Sequence, residues 1–239
     1  MKRLSCLLFF CASLAAAGEN ALKDESAGLA FFPISHATMI ITAGEQVIYV
    51  DPVGGPGVFQ VYAKPSLILI TDVHADHLDK TTVEAVRTAK TRVVAPQAVV
   101  DQLGFGQAVA NGGKALDGDV AIEAVPMYNT TQGRLERHVK GRGNGYVLTY
   151  KGKRIYISGD TEDIPEMRAL PAIDYAFVCM NLPYTMSVEQ AAAGVLAFKP
   201  KVVIPYHHRG SDVAKFMKLV NKGDKDIQVA LLNWYPSTP

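Results

Sequence analysis

The sequence of 239 residues contains few cysteines and no excess of either charge. Two of its three cysteines precede residue 12, and Cys179 lies alone in the apolar run Tyr175–Met180. A lone cysteine in such a run is typical of a buried core thiol, which argues against a disulfide-bonded scaffold and against a cysteine nucleophile. With 24 basic and 23 acidic side chains the chain is close to neutral, whereas a nucleic-acid-binding protein is expected to present a basic face.

Two sequence motifs that would indicate other classes of enzyme are absent or stand in the wrong context. The sequence has no G-x-S-x-G pattern, which argues against a serine hydrolase. The glycines of the segment Gly141–Gly145 precede a predicted strand rather than a helix, which argues against a dinucleotide-binding fold. The sequence shows neither a repeat nor a low-complexity tract, and 49% of its residues are hydrophobic. This composition is sufficient for one sizeable core.

Residues 1–17 have the composition of a secretory signal peptide. Lys2 and Arg3 precede the apolar run Leu4–Leu14, and three small residues follow, ending at Ala17. Charged, apolar and small-residue zones in this order predict cleavage after Ala17. The apolar run is shorter than the roughly 20 residues that span a bilayer, so a retained anchor is the weaker alternative. We therefore expect an exported protein, periplasmic or secreted, with a single domain over residues 18–239 and no membrane span after cleavage.

Predicted strands dominate the first part of the chain. The apolar segments Leu29–Ile34, His36–Thr42 and Gln46–Val50 predict strands, and the last two are expected to form a hairpin. Farther along, strands alternate with helices, one of which is predicted to begin at the S-x-x-Q capping box of Ser187. Hairpins followed by strand–helix alternation predict an α/β sandwich of sheets flanked by helices.

Potential metal ligands are concentrated in the segment Thr71–Asp79. Its nine residues contain two histidines and three carboxylates, and they directly follow the apolar run Ser66–Ile70. The apolar run predicts a buried strand, and Asp79 is a suitable N-cap for the helix that follows. Such a junction between rigid elements is where α/β proteins often expose polar groups for chemistry.

Ionisable residues also follow three other predicted strands, namely Asp51, Asp160, and His207 with His208. Taken singly, Asp51 before Pro52 and Asp160 after a glycine are typical turn residues. A deep carboxylate is costly unless it is paired or bound to a metal, so four such strand ends together favour one shared metal centre.

These motifs resemble the metallo-β-lactamase superfamily. The resemblance to its metal-site motifs lies in Thr71–His77, Gly159–Thr161 and Pro205–His207. The segments His36–Thr38 and Asp51–Pro52 resemble the N-terminal hairpin of the branch that includes the ascorbate phosphate lactonase and the N-acyl-phosphatidylethanolamine phospholipase D. The resemblance implies an αββα sandwich of two mixed β-sheets flanked by helices, with two metal positions where the sheets meet.

The resemblance also implies a ligand set, which comprises Asp72, His74, Asp76, His77, Asp160 and His207. In this set Asp160 bridges the two positions, and Asp76 also acts in catalysis by orienting water or carrying its proton. The family pattern H-x-H-x-D-H here begins with Asp72, so the first position gains an oxygen ligand. We expect one or two divalent ions, with zinc favoured and manganese or iron made more plausible by that oxygen.

Four further residues near the motifs are candidates for a place in or beside the site. Asn129 stands where related branches have a ligand histidine, and His138 either replaces that ligand or contacts substrate at the rim. His208 is expected at the mouth of the site beside His207. His36 lies in a predicted strand with apolar alternate members, so we expect a core histidine that orients Asp51.

A basic loop surrounds His138 and contains Arg134, Arg137, Lys140 and Arg142. One interpretation is an ordinary solvated loop. The other is a rim, formed by Arg137, Lys140 and Arg142, that attracts an anionic substrate such as a phosphate ester or a carboxylated lactone.

The function predicted from these residues is metal-dependent hydrolysis of a small-molecule substrate. Water bound to the metal would ionise near neutral pH and attack an ester, a lactone or a phosphodiester. The alternative is a non-catalytic metal- or ligand-binding domain on the same fold, since two family histidines are replaced.

Overall fold

Two seven-stranded β-sheets form the centre of the protein in the computed structural model, which describes residues 20–236. The predicted signal peptide, residues 1–17, lies outside the described residues. The first sheet contains, in order across it, β1 (Leu22–Asp24), β2 (Leu29–Ser35), β3 (Thr38–Ala43), β4 (Gln46–Val50), β5 (Leu67–Leu69), β6 (Arg92–Ala95) and β7 (Gln107–Ala108). The second contains β8 (Lys114–Asp117), β9 (Val120–Met127), β10 (Gly143–Tyr150), β11 (Lys153–Ile157), β12 (Tyr175–Cys179), β13 (Val202–Tyr206) and β14 (Gln228–Val229).

The two sheets share one connectivity. In each, the first four strands pair antiparallel and the last four pair parallel, with the fourth strand common to both sets. The chain therefore repeats a topology although its sequence contains no recognisable repeat. The prediction of two mixed sheets in an α/β sandwich is confirmed.

Helices connect the parallel strands and cover the outer faces of the sheets. They are α1 (Lys80–Val86), α2 (Gln97–Leu103), α3 (Pro165–Arg168), α4 (Val188–Phe198) and α5 (Val213–Gly223), with a 3₁₀ turn at Pro56–Phe59. Asp79 accepts a hydrogen bond from the backbone N–H of Thr82 at 3.1 Å, as its N-cap position predicts, and Ser187 forms the predicted capping box with Gln190. In the part of the chain that the structure describes, we find no helix with the length and apolar composition needed to cross a bilayer.

The main core lies between the sheets, where side chains such as Met39 of β3 and Phe177 of β12 belong to one buried cluster. A second cluster fills the space between the first sheet and its helices, where Ile68 lies with Val83 and Val99. Burying a side chain of this size contributes about 1.5–3 kcal/mol, so these clusters hold the sheet edges in place.

The sheets approach each other closely at the edge where the candidate site lies. The backbone N–H of Asn144 donates to the carbonyl of Thr71 at 2.9 Å, which joins the start of β10 to the end of β5. A Cβ atom on the adjacent Gly143 would lie 2.9 Å from that carbonyl oxygen, so this crossing requires glycine.

The structure differs from the sequence predictions at several places. His36 is not in a strand: its φ of 52° places it in the tight turn between β2 and β3. The apolar segment Ile227–Leu232 predicts a closing strand, but β14 spans only two of these residues, and the sequence does not predict the short strands β1, β7 and β8. Strands this short have too few residues for a period-2 pattern to be visible.

Candidate metal centre

Ligand-type side chains from four strand ends meet at one edge of the two sheets. In three groups, two of which share His207, the ligand atoms lie within 4.8 Å of one another: His77 with Asp160 and His207; Asp72 with His74 and His138; and His36 with Asp76 and His207. The parallel strands β4 and β5, and likewise β11 and β13, end at the same edge of their sheets, which brings these residues together.

Asp160 lies between two of these groups. Its Oδ2 is 3.3 Å from His77 Nε2 and 3.2 Å from His138 Nε2, and its Oδ1 is 3.3 Å from His207 Nε2. Burial alone would raise its pKa, but the neighbouring rings of His207 and His77 outweigh burial and hold the pKa of Asp160 well below its ordinary value. An ionised carboxylate in this place is suited to bridge two cations.

The second metal position is built on His77, which is fully buried. Its Nδ1 lies 2.8 Å from Asp51 Oδ2, and Asp51 also accepts hydrogen bonds from the Thr71 backbone N–H at 2.7 Å and hydroxyl at 2.6 Å. A proton held on Nδ1 leaves Nε2 as an acceptor directed into the site. Burial raises the pKa of Asp51, although the contacts from His77 and Thr71 oppose that effect.

The buried polar atoms of this position are suited to metal binding. His77 Nε2 and Asp160 Oδ1 have no hydrogen-bond partner although both are buried. Unpaired buried acceptors are costly, and an imidazole nitrogen facing a carboxylate oxygen is a normal pair of ligands for a divalent metal. His77, Asp160 and His207, with Asp76, would therefore hold an ion.

The first metal position contains Asp72, His74 and His138. Asp72 Oδ2 lies 2.7 Å from His74 Nδ1 and 3.8 Å from His138 Nε2. Asp72 is buried, whereas the side chain of His74 is 41% exposed. The sequence left open whether His138 is a ligand or a rim residue; the structure places it at the first position, 2% exposed.

Asn129 orients His138 rather than occupying a ligand position. The Asn129 amide donates to the Tyr184 carbonyl at 2.8 Å, so its Oδ1 faces His138 Nδ1 at 2.9 Å and accepts its proton. The backbone N–H of Asn129 also donates to the His138 carbonyl at 2.9 Å. The intervening loop therefore folds back on itself, which explains why the spacing of His138 does not match the family pattern.

Arg142 and Lys140, which were predicted at a substrate rim, are not among the residues that line the site cavity. Arg142 contacts both carboxylate oxygens of Asp72 at 3.3 Å, and Lys140 pairs with Glu166 at 2.7 Å. Both side chains therefore already have carboxylate partners within the protein, and their attraction of substrate stays a prediction.

Arg137 does line the site cavity, which has a volume of about 480 Å³. Its guanidinium carbon lies 4.6 Å from the centre of the Tyr184 ring, and its Nε is buried without a hydrogen-bond partner. Arg209 lines the same cavity and was not predicted, although its place three residues after β13 could have suggested it.

His36 lines the cavity, whereas His208 is not among its lining residues. His36 was predicted to orient Asp51, but its Nε2 faces Asp76 Oδ2 at 3.4 Å, and its ring stacks on His207 at 3.7 Å. The prediction for His36 is therefore wrong in its partner. His208 packs against Tyr235 with ring centres 5.0 Å apart and belongs to none of the three groups in residues 20–236.

Asp76 is the most accessible carboxylate of the centre, with its side chain 44% exposed to the cavity. Its Oδ2 lies 3.3 Å from His207 Nε2. Burial would raise its pKa, but the hydrogen bonds from His207 and His36 outweigh that effect and lower the pKa of Asp76. An accessible and ionised carboxylate at this place can accept a hydrogen bond from water and orient it.

Glu162 holds the loop that carries His138 and was missed in the sequence. This buried carboxylate accepts hydrogen bonds from the backbone N–H and the hydroxyl of both Thr130 and Thr131, at 2.8–2.9 Å, and pairs with Arg134 at 2.8 Å. It lies two residues after Asp160, so it couples the loop to the bridging carboxylate.

Comparison with known proteins agrees with this geometry. Residues 33–207 match the family described as the beta-lactamase superfamily domain. A UPF0173 metal-dependent hydrolase from Symbiobacterium thermophilum is 33% identical over 190 residues, which cover 73% of this chain and 81% of that protein.

Solved structures lead to the same family. A protein from Parabacteroides distasonis described as a metal-dependent hydrolase has 38% sequence identity and a TM-score of 0.82, and the match covers 89% of this chain and 96% of that one. CmlA, a diiron β-hydroxylase from Streptomyces venezuelae, is similar in fold alone, with 17% identity, a TM-score of 0.67, and coverage of 92% of this chain and 58% of its own. The chain therefore belongs to the metallo-β-lactamase superfamily, among its metal-dependent hydrolases.

Proposed function

We propose that this protein is an exported hydrolase that holds one or two divalent ions and cleaves an ester, a lactone or a phosphodiester in a small anionic substrate. The observation that carries the proposal is the position of Asp160, which lies within 3.3 Å of ring nitrogens from both metal positions at the floor of an open cavity.

The donor set supports a divalent metal without fixing a single element. Each position combines two imidazole nitrogens with carboxylate oxygens, a mixture that suits zinc and is also compatible with manganese or iron. When bound, such an ion supplies the nucleophile by lowering the pKa of water from about 16 to about 7.

The protein side chains would then handle the proton and the substrate. Asp76 is exposed to the cavity, so it can orient the attacking water or carry its proton to the leaving group. His77 and His138 each have the Nδ1 side fixed by an acceptor, so their Nε2 atoms stay directed at the reaction centre.

An anionic substrate is supported by the two arginines of the cavity wall. In the ion pairs of residues 20–236, neither Arg137 nor Arg209 has a carboxylate partner, although both line the cavity. Guanidinium groups bind carboxylate and phosphate oxygens through paired hydrogen bonds. Glu136 lines the same cavity and would limit how many negative charges a substrate can carry there.

The test is a panel of esters, lactones and phosphodiesters, each offered with and without an added carboxylate or phosphate. The protein is assayed with zinc and with manganese, and its metal content is measured by elemental analysis. We expect turnover of charged substrates, with KM raised about tenfold by Arg137→Gln or Arg209→Gln. The same substitutions should leave KM for neutral analogues unchanged. Metal bound in full without hydrolysis of any panel member would favour the non-catalytic binding domain.

Export is a separate part of the proposal and rests on the composition of residues 1–17. Fractionation of cells that express the full chain should recover a processed protein beginning at Gly18 outside the cytoplasm. Recovery of the unprocessed chain in the cytoplasm would contradict it.

A further inference from the structure

Tyr235, close to the C-terminal end of the described chain, contacts His36 of the cavity wall through its hydroxyl group. The hydroxyl oxygen accepts hydrogen bonds from the backbone N–H groups of His208 at 3.0 Å and Arg209 at 2.8 Å. The same oxygen lies 2.7 Å from Nδ1 of His36. Three nitrogen atoms therefore surround one phenolic oxygen.

Counting protons fixes the direction of the third hydrogen bond. A phenolic hydroxyl has one proton and two acceptor sites, and backbone N–H groups can only donate. His208 and Arg209 therefore occupy both acceptor sites, and the hydroxyl proton must be donated to His36 Nδ1. A ring that accepts at Nδ1 carries its proton on Nε2.

The Nε2–H group of His36 faces the metal centre. It lies 3.4 Å from Asp76 Oδ2, which is also 3.3 Å from His207 Nε2, while Asp76 Oδ1 lies 3.9 Å from His77 Nε2. His36 stands in the strained turn described above and stacks on His207, so its ring has little freedom to rotate. The ligand atoms of His36, Asp76 and His207 lie within 4.8 Å of one another, as those of a shared metal ion would. A ring nitrogen that carries a proton cannot bind a metal, however.

We propose that Tyr235 and His36 form a positioning pair: Tyr235 locks His36 in the Nε2–H form, and this N–H holds Asp76 Oδ2 so that the carboxylate stays turned towards the second metal position. The pair acts through Asp76 and is not a source of ligands. This inference rests on the proposed hydrolase function only for the role it gives Asp76 in turnover.

The form of the His36 ring can be measured without any substrate. In zinc-loaded protein labelled with ¹⁵N at histidine, the two ring nitrogens of His36 are distinguished by their chemical shifts and by their couplings to the ring protons. We expect a protonated Nε2 and an unprotonated Nδ1 in the wild type, and a mixture of the two forms in Tyr235→Phe. A wild-type ring protonated on Nδ1 would overturn the proposal. Tyr175→Phe is the matched control. The Tyr175 hydroxyl donates a hydrogen bond of 2.7 Å to Asp24, and neither residue lines the cavity.

Metal content and kinetics test the role of the pair. His36→Leu and Tyr235→Phe should each lower kcat about 10–100-fold, with KM and the number of bound zinc ions unchanged. His36→Gln should recover most of the loss, since its amide can donate from a similar place. Loss of one zinc ion from His36→Leu would identify His36 as a ligand and overturn the proposal, as would an unchanged kcat in both variants. If the wild type hydrolyses nothing, the proposed function fails, but the ring measurement and the zinc count still decide the assignment of His36.

Discussion

The two metal positions share Asp160 but differ in how their other ligands are supported. At the second position, His77 is fully buried and held by Asp51, which is itself held by Thr71. At the first position, His74 is 41% exposed and Asp72 is shared with the Arg142 guanidinium. Metal binding costs less free energy when the ligand is already held in place and has no competing cationic partner. It costs more when the ligand must first release such a partner. We therefore expect the second position to bind its ion more tightly than the first.

We expect the largest effect on metal content and turnover from a substitution of Asp160, which both positions share. Asp160→Asn keeps the shape of the side chain but removes its charge. We expect loss of metal from both positions and a fall in turnover of more than about 100-fold, which exceeds the effect usual for residues that only orient a ligand. Elemental analysis and initial rates check this prediction. Asp101→Asn, an exposed change on α2, is the control, and full metal content in Asp160→Asn would contradict the assignment.

A smaller effect should separate the two positions. Asp51→Asn removes the carboxylate that fixes His77 and should weaken metal binding at the second position about 10–100-fold. Asp72→Asn is the same change made at the first position and should weaken only the more loosely held ion. Titration of the loaded protein with a chelator measures both. The comparison fails if the two variants release their metals in the same order and at the same chelator concentration.

The loop that carries His138 to the first position can also be destabilised without a change to any ligand. Glu162→Gln removes the charge that holds the loop carrying His138, and should cost about 1–3 kcal/mol in the free energy of unfolding at pH 7. Burial would raise the pKa of Glu162, but hydrogen bonds from Thr130 and Thr131 outweigh it and lower the pKa below the ordinary value of 4.5. Its stabilisation is therefore present in full above that value, and is lost as the pH falls through the folded-state pKa.

Urea unfolding at pH 7 and at a series of pH values below 4.5 measures this difference. The gap between wild type and Glu162→Gln should narrow as the pH falls. Glu166→Gln, a change to a nearby carboxylate that pairs with Lys140 at 2.7 Å, should have a smaller effect. A gap that stays constant with pH would show that the charge of Glu162 is not what holds the loop.

We expect the smallest effect from a substitution of Arg142, which should raise the metal affinity of the first, weaker position. Arg142→Gln frees Asp72 from its guanidinium partner, so we expect about tenfold tighter binding of the first ion. Lys140→Gln removes an equal charge from the same loop but not from Asp72, and should leave metal affinity unchanged. Weaker binding in Arg142→Gln would mean instead that the guanidinium holds Asp72 in its ligand position.

The fold and most of the candidate ligands were accessible from the sequence, for local reasons. Thr71–Asp79 contains four of the candidate ligands in one short segment, and Asp160 and His207 directly follow predicted strands whose ends meet at one edge. Alternation of strands and helices is also a local pattern, so it predicted the sandwich.

The remaining contacts depend on partners distant in the sequence. His36 faces Asp76 because a tight turn carries it off the strand, and Tyr235 reaches it from 199 positions away. Arg142 pairs with Asp72 across 70 positions, which a count of basic residues in one loop cannot reveal. His138 reaches the first position only because its loop folds back on Asn129.

The repeated topology of the two sheets has a consequence for assembly of the molecule. The first sheet and its connections supply Asp72, His74, Asp76 and His77, whereas the second supplies His138, Asp160 and His207. Neither half of the chain contains the full ligand set of either position. A bound ion would therefore be held by residues of both halves and would link them. An ion present at about 100 times its dissociation constant would add about 2.7 kcal/mol to the stability of the joined protein, and a chain with only one half folded could not hold it.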